Sequence, residues 1–381
     1  MSNSNPHAAD ILFQPFPFGK VTLPNRIVMA PMTRSKSPGN VPGDDVADYY
    51  QRRAAGGVGL IVTEGTAPDF KGAHGYPDVP SFYGDEAMAG WKRVAEKVHH
   101  AGGFIIPQIW HVGSVRKKGF GPDPDGSIVG PSSIMHPSHF INGELSKGAE
   151  LPEAMTQADI NDCVSAYGKA ARNAADAGFD GVEIHGAHAY LIDQFFWEAT
   201  NKRDDKYGGD LVQRTQFAVE IIEAMRAQVS DDFPIVLRFS QWKQGDYNHK
   251  MAKSADELEA FLAPLSKAGV DIFHCSTRYF NNPEFEGSNL NLAGWARKLT
   301  GKPAITVGSI GLDIDFLHSF GGQKSHSTDI TALFERMENN EFDLVAVGRA
   351  LLSDPAWANK IKAGNESDIV EFTPASMQEL I

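Results

Sequence analysis

Eight times along its length the chain repeats one unit: a short run of consecutive apolar residues, then an amphipathic stretch long enough for a helix. The runs are Arg26 to Thr33, Gly59 to Ala67, Gly103 to His111 and Gly181 to Ala187, then Pro234 to Ser240, Asp271 to Thr277, Pro303 to Ser309 and Asp343 to Arg349. They do not alternate polar with apolar, as strands with one wet face would. They are continuous and rich in Val, Ile and Phe, the pattern of strands buried on both faces. Helical patterns lie near 44–56, 86–101, 156–178, 211–229, 254–268, 289–299, 329–339 and 355–363. Thr156 ahead of Gln157-Ala158-Asp159 and Ser254 ahead of Ala255-Asp256-Glu257 each read as a cap with an acid in the first turn. Eight such units in succession predict an α/β fold, a (β/α)8 TIM barrel. A doubly wound open sheet is the alternative, disfavoured because no G-x-G-x-x-G turn follows the first run.

A chain of 381 residues suits one elaborated barrel domain over 1–381, although two domains stay open. Residues 112–155, rich in Gly, Pro and Ser, break the repeat after the third strand. So long a loop in a compact domain is usually functional, and it reads as a lid over the barrel mouth. Residues 319–328 form a smaller polar insertion. The segment FGKVTLPNR, Phe18 to Arg26, reads as an N-terminal hairpin suited to plug the barrel floor.

The formal net charge of −13 opposes a nucleic-acid or anionic-membrane partner. Cys163 and Cys275 form neither a metal-ligand pair nor a disulfide framework, in keeping with a cytoplasmic location. The opening MSNSNPHAAD lacks a basic region followed by an apolar one, and no apolar run reaches the roughly 18 residues of a membrane span. The expectation is a protein neither secreted nor membrane-embedded, monomer or homodimer, with a small molecule as its partner.

Active sites of such barrels sit at the C-terminal ends of the strands. The polar and glycine residues that end the eight runs are therefore the candidates. The cluster His185-Gly-Ala-His188-Ala-Tyr190 places two imidazoles and a phenol within six residues of sequence. Imidazoles donate hydrogen bonds to an oxygen, and a phenol can donate a proton. Structural histidines are one alternative. A zinc site is another, poorly matched by H-x-x-H at a strand end without a third ligand, so no metal is expected. Arg238 ends an otherwise apolar run and faces either an internal carboxylate or an anion. Gly308-Ser309 and Gly348-Arg349 end the seventh and eighth runs, where many barrels bind phosphate. Gln108 can donate and accept together, which suits an amide-like heterocycle edge. Trp110 reads equally as cleft wall or core.

These residues belong to long motifs in a fixed order: APMTRS at Ala30 to Ser35, GGVGLIVTEGT at Gly56 to Thr66, PQIWHVG at Pro107 to Gly113, FDGVEIHGAHAYLIDQF at Phe179 to Phe195, NKRDDKYGG at Asn201 to Gly209 and VAVGRALLSDP at Val345 to Pro355. Over nearly its whole length the chain resembles the old yellow enzyme family of FMN-dependent ene reductases. The resemblance implies bound FMN, with Pro31 beside it, Thr33 at the flavin C4 carbonyl, Gln108 at the pyrimidine edge and Arg238 near N1 and O2. Gly308, Ser309, Gly348 and Arg349 would hold the phosphate. His185 and His188 would bind the substrate carbonyl oxygen, Tyr190 would protonate the α-carbon, and Trp110 and Tyr279 would shape the substrate cleft. Thr33 and Trp110 resemble the branch of yeast-type and nitrate-ester-reducing enzymes. The branch with cysteine in place of that threonine and a C-terminal tryptophan finger is a poorer match to a chain closing on PASMQELI.

The implied activity is NAD(P)H-dependent reduction of activated C=C bonds in α,β-unsaturated carbonyl compounds, by ping-pong hydride transfer. Reductive denitration of nitrate esters, or reduction of nitro compounds, at the same flavin is the alternative. The iron–sulfur relatives that reduce dienoyl-thioesters need clustered cysteines, which two distant ones cannot supply. A flavin-binding protein without turnover and a metal-dependent hydrolase are readings from other classes.

Overall fold

The computed structural model describes residues 8–381; the first seven residues of the opening read above for a leader lie outside the described residues. Eight parallel strands close into a barrel in chain order: β1 (Ile27–Met29), β2 (Leu60–Thr66), β3 (Phe104–Ile109), β4 (Val182–Gly186), β5 (Ile235–Ser240), β6 (Ile272–Ser276), β7 (Ala304–Val307) and β8 (Leu344–Val347). β8 pairs with β1 through Val345 and Ile27, which leaves no open edge. The strands are buried along almost every residue, the condition that continuous apolar runs satisfy. The main outer helices are α1 (Asp44–Ala55), α2 (Asp85–His100), α3 (Gln157–Asp176), α4 (Gln216–Arg226), α5 (Ala255–Ala268), α6 (Leu292–Thr300), α7 (Thr331–Glu338) and α8 (Trp357–Ala363).

Both caps read from sequence form. Thr156 accepts from the Asp159 N–H at 3.1 Å while the Asp159 carboxylate accepts from the Thr156 N–H at 2.9 Å. Ser254 accepts from the Glu257 N–H at 3.2 Å. Several runs outlast their strands. The first was expected to reach Thr33, but pairing stops at Met29. Pro31 has no N–H to give to a ladder, so the chain leaves the sheet there and turns across the barrel mouth.

The expected hairpin is antiparallel, Phe16–Phe18 against Val21–Leu23. Phe16, Phe18 and Leu23 join inward-facing Val28, Leu60, Ile106, Val236, Ile305 and Leu344 in one apolar cluster, so the hairpin closes the barrel floor. Three short helices that the repeat does not announce lie at the mouth: Leu191–Phe196 after β4, Phe316–Phe320 after β7 and Ala350–Ser353 after β8. Residues 112–155 contain two small pairings, Val129–Gly130 with Glu153–Ala154 and Phe140–Ile141 with Glu144–Leu145. The imidazole of His136 reaches the Ala189 carbonyl at 3.0 Å and so ties this segment to the turn after β4. No helix among the described residues is long and apolar enough to cross a membrane.

Candidate active site

A cavity of about 330 Å³ opens at the C-terminal ends of the strands. Pro31, Thr33, Gln108, Trp110, His185, His188, Tyr190, Arg238, Gly308, Ser309, Gly348 and Arg349 all line it. Tyr279 does not; its neighbour Arg278 does, with Trp242 and Phe316. The chain has left the pleat by residue 279, so alternation no longer decides which side chain points inward. Among the described residues, none from 112–155 lines the cavity.

Strand register sets the innermost layer. Gln108 on β3 lies beside Glu183 on β4, and His185, Arg238 and His274 are neighbours across β4, β5 and β6. The Gln108 side-chain N–H donates to Glu183 at 2.8 Å, and the second carboxylate oxygen of Glu183 meets Nδ1 of His274 at 2.7 Å. Because the amide nitrogen is committed to Glu183, the carbonyl oxygen of Gln108 is the atom left for a ligand N–H. Arg238 lies alongside; its Nε is buried with no hydrogen-bond partner, and burial lowers its pKa to about 10, which leaves it a cation at neutral pH. An unpartnered buried guanidinium N–H is costly unless a ligand meets it.

Trp110 lies against Gly65, where a Cβ would stand 2.3 Å from the indole ring; only glycine lets the ring lie across β2. That places Trp110 between Tyr76, at 5.4 Å between ring centroids, and Tyr190, at 4.9 Å. The rings of His185 and His188 are 5.1 Å apart, and His185 is 5.1 Å from Tyr190. The Ala187 N–H donates to Nδ1 of His185 at 3.3 Å, so the neutral ring carries its proton on Nε2. His188 shares a 2.7 Å bond with the Ser276 hydroxyl through Nε2 and stacks on Trp242 at 4.4 Å. Burial, with the Arg238 charge behind it, holds both imidazoles well below the usual histidine range. Both are neutral, not stored acids; His185 offers its Nε2–H, and with the Ser276 hydroxyl donating to its Nε2, His188 offers its Nδ1–H. Burial pushes the Tyr190 phenol well above its ordinary value, so it stays protonated; its hydroxyl is 3.2 Å from that of Tyr76.

The opposite end is built from the turns after β7 and β8. Gly308 has φ +153°, and a Cβ there would stand 2.6 Å from the Thr277 hydroxyl, so the position excludes other side chains. Arg349 is engaged by its own chain: its guanidinium donates to the Asp315 carbonyl at 3.0 Å and the Ser309 hydroxyl at 3.2 Å, and also meets Ser319 and Ile314. This loop, 309–319, holds the guanidinium at the cavity wall, where an anion would compete for its donors. Thr33 is held from behind: the Arg34 and Ser35 N–H groups donate to buried Glu64 at 2.8 and 3.1 Å. Tyr76, Trp242, Glu183, His274 and Phe316 were not singled out from sequence. Glu183 offered a signal, a carboxylate inside the otherwise apolar run GVEIHGA.

The profile of the NADH:flavin oxidoreductase / NADH oxidase family matches residues 11–368. The chain is 34% identical over 322 residues to 12-oxophytodienoate reductase 2 of Arabidopsis thaliana, covering 81% of this chain and 85% of that one. It is 33% identical over 370 residues to an NADH oxidase of Thermoanaerobacter brockii, covering 94% of this chain and 52% of the longer relative. Morphinone reductase in complex with tetrahydroNAD superposes with a TM-score of 0.78 at 29% identity, over 96% of this chain and 93% of that one.

Proposed function

Since the chain belongs to the NADH:flavin oxidoreductase / NADH oxidase family, the old yellow enzyme family that its motifs resemble, we propose that it reduces activated C=C bonds of α,β-unsaturated carbonyl compounds. It is an FMN oxidoreductase with a nicotinamide donor. The observation that carries the proposal is the convergence of His185, His188 and Tyr190 on one wall of the cavity that also holds Gln108 and Arg238. The names of two relatives, 12-oxophytodienoate reductase and morphinone reductase, are those of reductases of oxo compounds, which agrees with it.

FMN fits the residues present. The unpartnered Arg238 N–H and the Gln108 carbonyl oxygen offer a donor and an acceptor to the heterocycle edge. Gly308, Ser309, Gly348 and Arg349 would take the phosphate, and Pro31 and Thr33 would cover the remaining edge. Bound there, FMN would supply the hydride-carrying chemistry that links the nicotinamide donor to the acceptor. Arg238 would set a fixed cation against the heterocycle edge, which favours the reduced, more negative form of such a group.

The protein side chains do the rest. A substrate carbonyl oxygen lies between His185 and His188, with the His185 Nε2–H as a donor. Their hydrogen bonds draw electron density onto that oxygen and make the β-carbon electrophilic. Being neutral, the imidazoles polarise without transferring a proton. Tyr190 delivers its hydroxyl proton to the α-carbon. Trp110 fixes the face of that phenol, and Tyr76 is placed to hand Tyr190 a proton afterwards. Donor and acceptor use the same cavity, so they bind in turn, in ping-pong order. The described residues, 8–381, act as one domain, with 112–155 a cover that shapes the mouth from outside the cavity wall.

Incubating the FMN-loaded protein anaerobically with NADH or NADPH and cyclohexenone tests the reading. Cyclohexanone is the expected product. Nitrite release from nitrate esters without any enone reduction would move the assignment to denitration.

A further inference from the structure

The turn that carries His188 and Tyr190 is strained. His188 and Ala189 have φ of +63° and +61°, consecutive left-handed residues without glycine at either position. A side chain there costs roughly 1–2 kcal/mol per residue, so the conformation persists only if its surroundings impose it. The carboxylate of Asp193 accepts from the Ala189 N–H at 2.7 Å. Its other oxygen is paired with the Lys243 ammonium, and both side chains are essentially inaccessible, at 1% and 0% exposure. Lys243 lies just beyond β5, in the segment that also grips His188. The Ser240 hydroxyl accepts from the His188 N–H at 3.0 Å, and Trp242 stacks on the imidazole. The Ala189 carbonyl is taken by Gln194 at 2.8 Å and by His136.

An ion pair taken wholly out of water is an expensive way to gain stability. Here it does something a hydrophobic pair could not. It keeps a carboxylate oxygen aimed at the one N–H that a left-handed Ala189 turns inward, and it links that oxygen to the element holding His188. We infer that Asp193, with Lys243 as its counter-ion, is a positioning pair that sets the reacting geometry of His188 and Tyr190. The inference rests on the function proposed above for those two residues. Neither Asp193 nor Lys243 lines the cavity, so both act through the turn.

Two double variants in the FMN-loaded protein test this. Asp193→Leu with Lys243→Met removes both charges together, strands no buried ion and fills similar volume, so stability is expected to hold or rise. The turn loses its acceptor. Affinity for a phenol, whose oxygen sits where the carbonyl would, should fall by roughly tenfold or more, as for a lost bond to a charged ligand. Reoxidation by cyclohexenone should slow by roughly 10²-fold, the effect of misplacing reacting groups by about an ångström. Asp193→Asn with Lys243→Met restores a neutral acceptor for Ala189 and should recover most of both losses. Unfolding temperature and FMN uptake are read alongside, since a purely structural pair would move those and leave phenol affinity alone.

Phenol affinity and enone reoxidation within twofold of the parent in the Leu/Met variant overturn the inference. So does loss of folding in both double variants, which would make the pair a general stability element. A parent that takes up FMN yet neither binds phenols nor reduces enones overturns the functional reading itself, and this inference with it.

Discussion

Glu183 receives the side-chain N–H of Gln108 at 2.8 Å on one carboxylate oxygen and faces Nδ1 of His274 at 2.7 Å on the other. All three side chains are buried inside the barrel. The pair decides which end of an amide, symmetric in shape but not in chemistry, looks into the cavity.

Glu183→Gln removes that decision, because a glutamine can present either oxygen or nitrogen to Gln108. FMN affinity is expected to fall by roughly tenfold, the scale of one hydrogen bond to a charged group. Titration of flavin fluorescence quenching reads this directly. Unchanged affinity would show that Gln108 does not depend on Glu183 for its orientation.

His185→Ala and His188→Ala each remove a neutral donor to the developing oxyanion. Each should cost roughly 2.7–4 kcal/mol in the barrier for enone reoxidation and weaken phenol binding. Flavin reduction should slow as well, to the extent that the nicotinamide carboxamide uses the same donors. A double variant with parental phenol affinity and enone rate would remove both residues from the mechanism.

Tyr190→Phe keeps the ring against Trp110 and deletes only the hydroxyl. Reduction by the nicotinamide should be nearly unchanged, whereas reoxidation by cyclohexenone should slow by roughly 10²–10⁴-fold, the contribution of a positioned acid. Nitrate esters, which need no proton at carbon, should be little affected. Equal enone rates in variant and parent would mean that the proton comes from elsewhere.

The barrel was readable because parallel strands buried on both faces leave uninterrupted apolar runs, and a residue at the end of such a run faces the mouth. That rule brought Gln108, His185 and Arg238 to one cavity. Tyr279, implied by the resemblance and not by that rule, lies three residues past the end of β6 and does not line the cavity; the rule itself overstated β1, which Pro31 cuts short. Contacts made by turns were not readable. His188 and Ala189 adopt left-handed backbone with no Gly or Asn to announce it. Asp193 and Lys243 meet across fifty residues of chain through a short helix that the period of the sequence does not mark. Glu183 was visible as an acid in an apolar run, but its partner His274 depends on the β4–β5–β6 register.

Glu64 carries a pH dependence of stated sign. Burial raises its pKa from 4.5 to about 7, against the pull of the Arg34 and Ser35 N–H groups. The folded state therefore holds the proton more tightly than the unfolded chain. The stability this confers is fully present below about pH 4.5 and is lost as pH rises to about 7, at about 1.4 kcal/mol per pH unit. Denaturant unfolding of the parent and of Glu64→Gln at pH 5 and pH 7 isolates the effect. The parent should lose roughly 2–3 kcal/mol relative to the variant between the two. A relative gain with rising pH would show that the two backbone donors outweigh burial and keep Glu64 ionised.

The most direct measurement is anaerobic stopped-flow absorbance of the FMN-loaded protein through both half-reactions. Mixing with NADH or NADPH should bleach the flavin band, and mixing the bleached protein with cyclohexenone should restore it, with saturation in the enone and cyclohexanone formed one for one. A flavin band that the nicotinamide bleaches but no enone restores, while oxygen or a nitrate ester does, would contradict the assignment of His185, His188 and Tyr190 to carbon–carbon double-bond reduction.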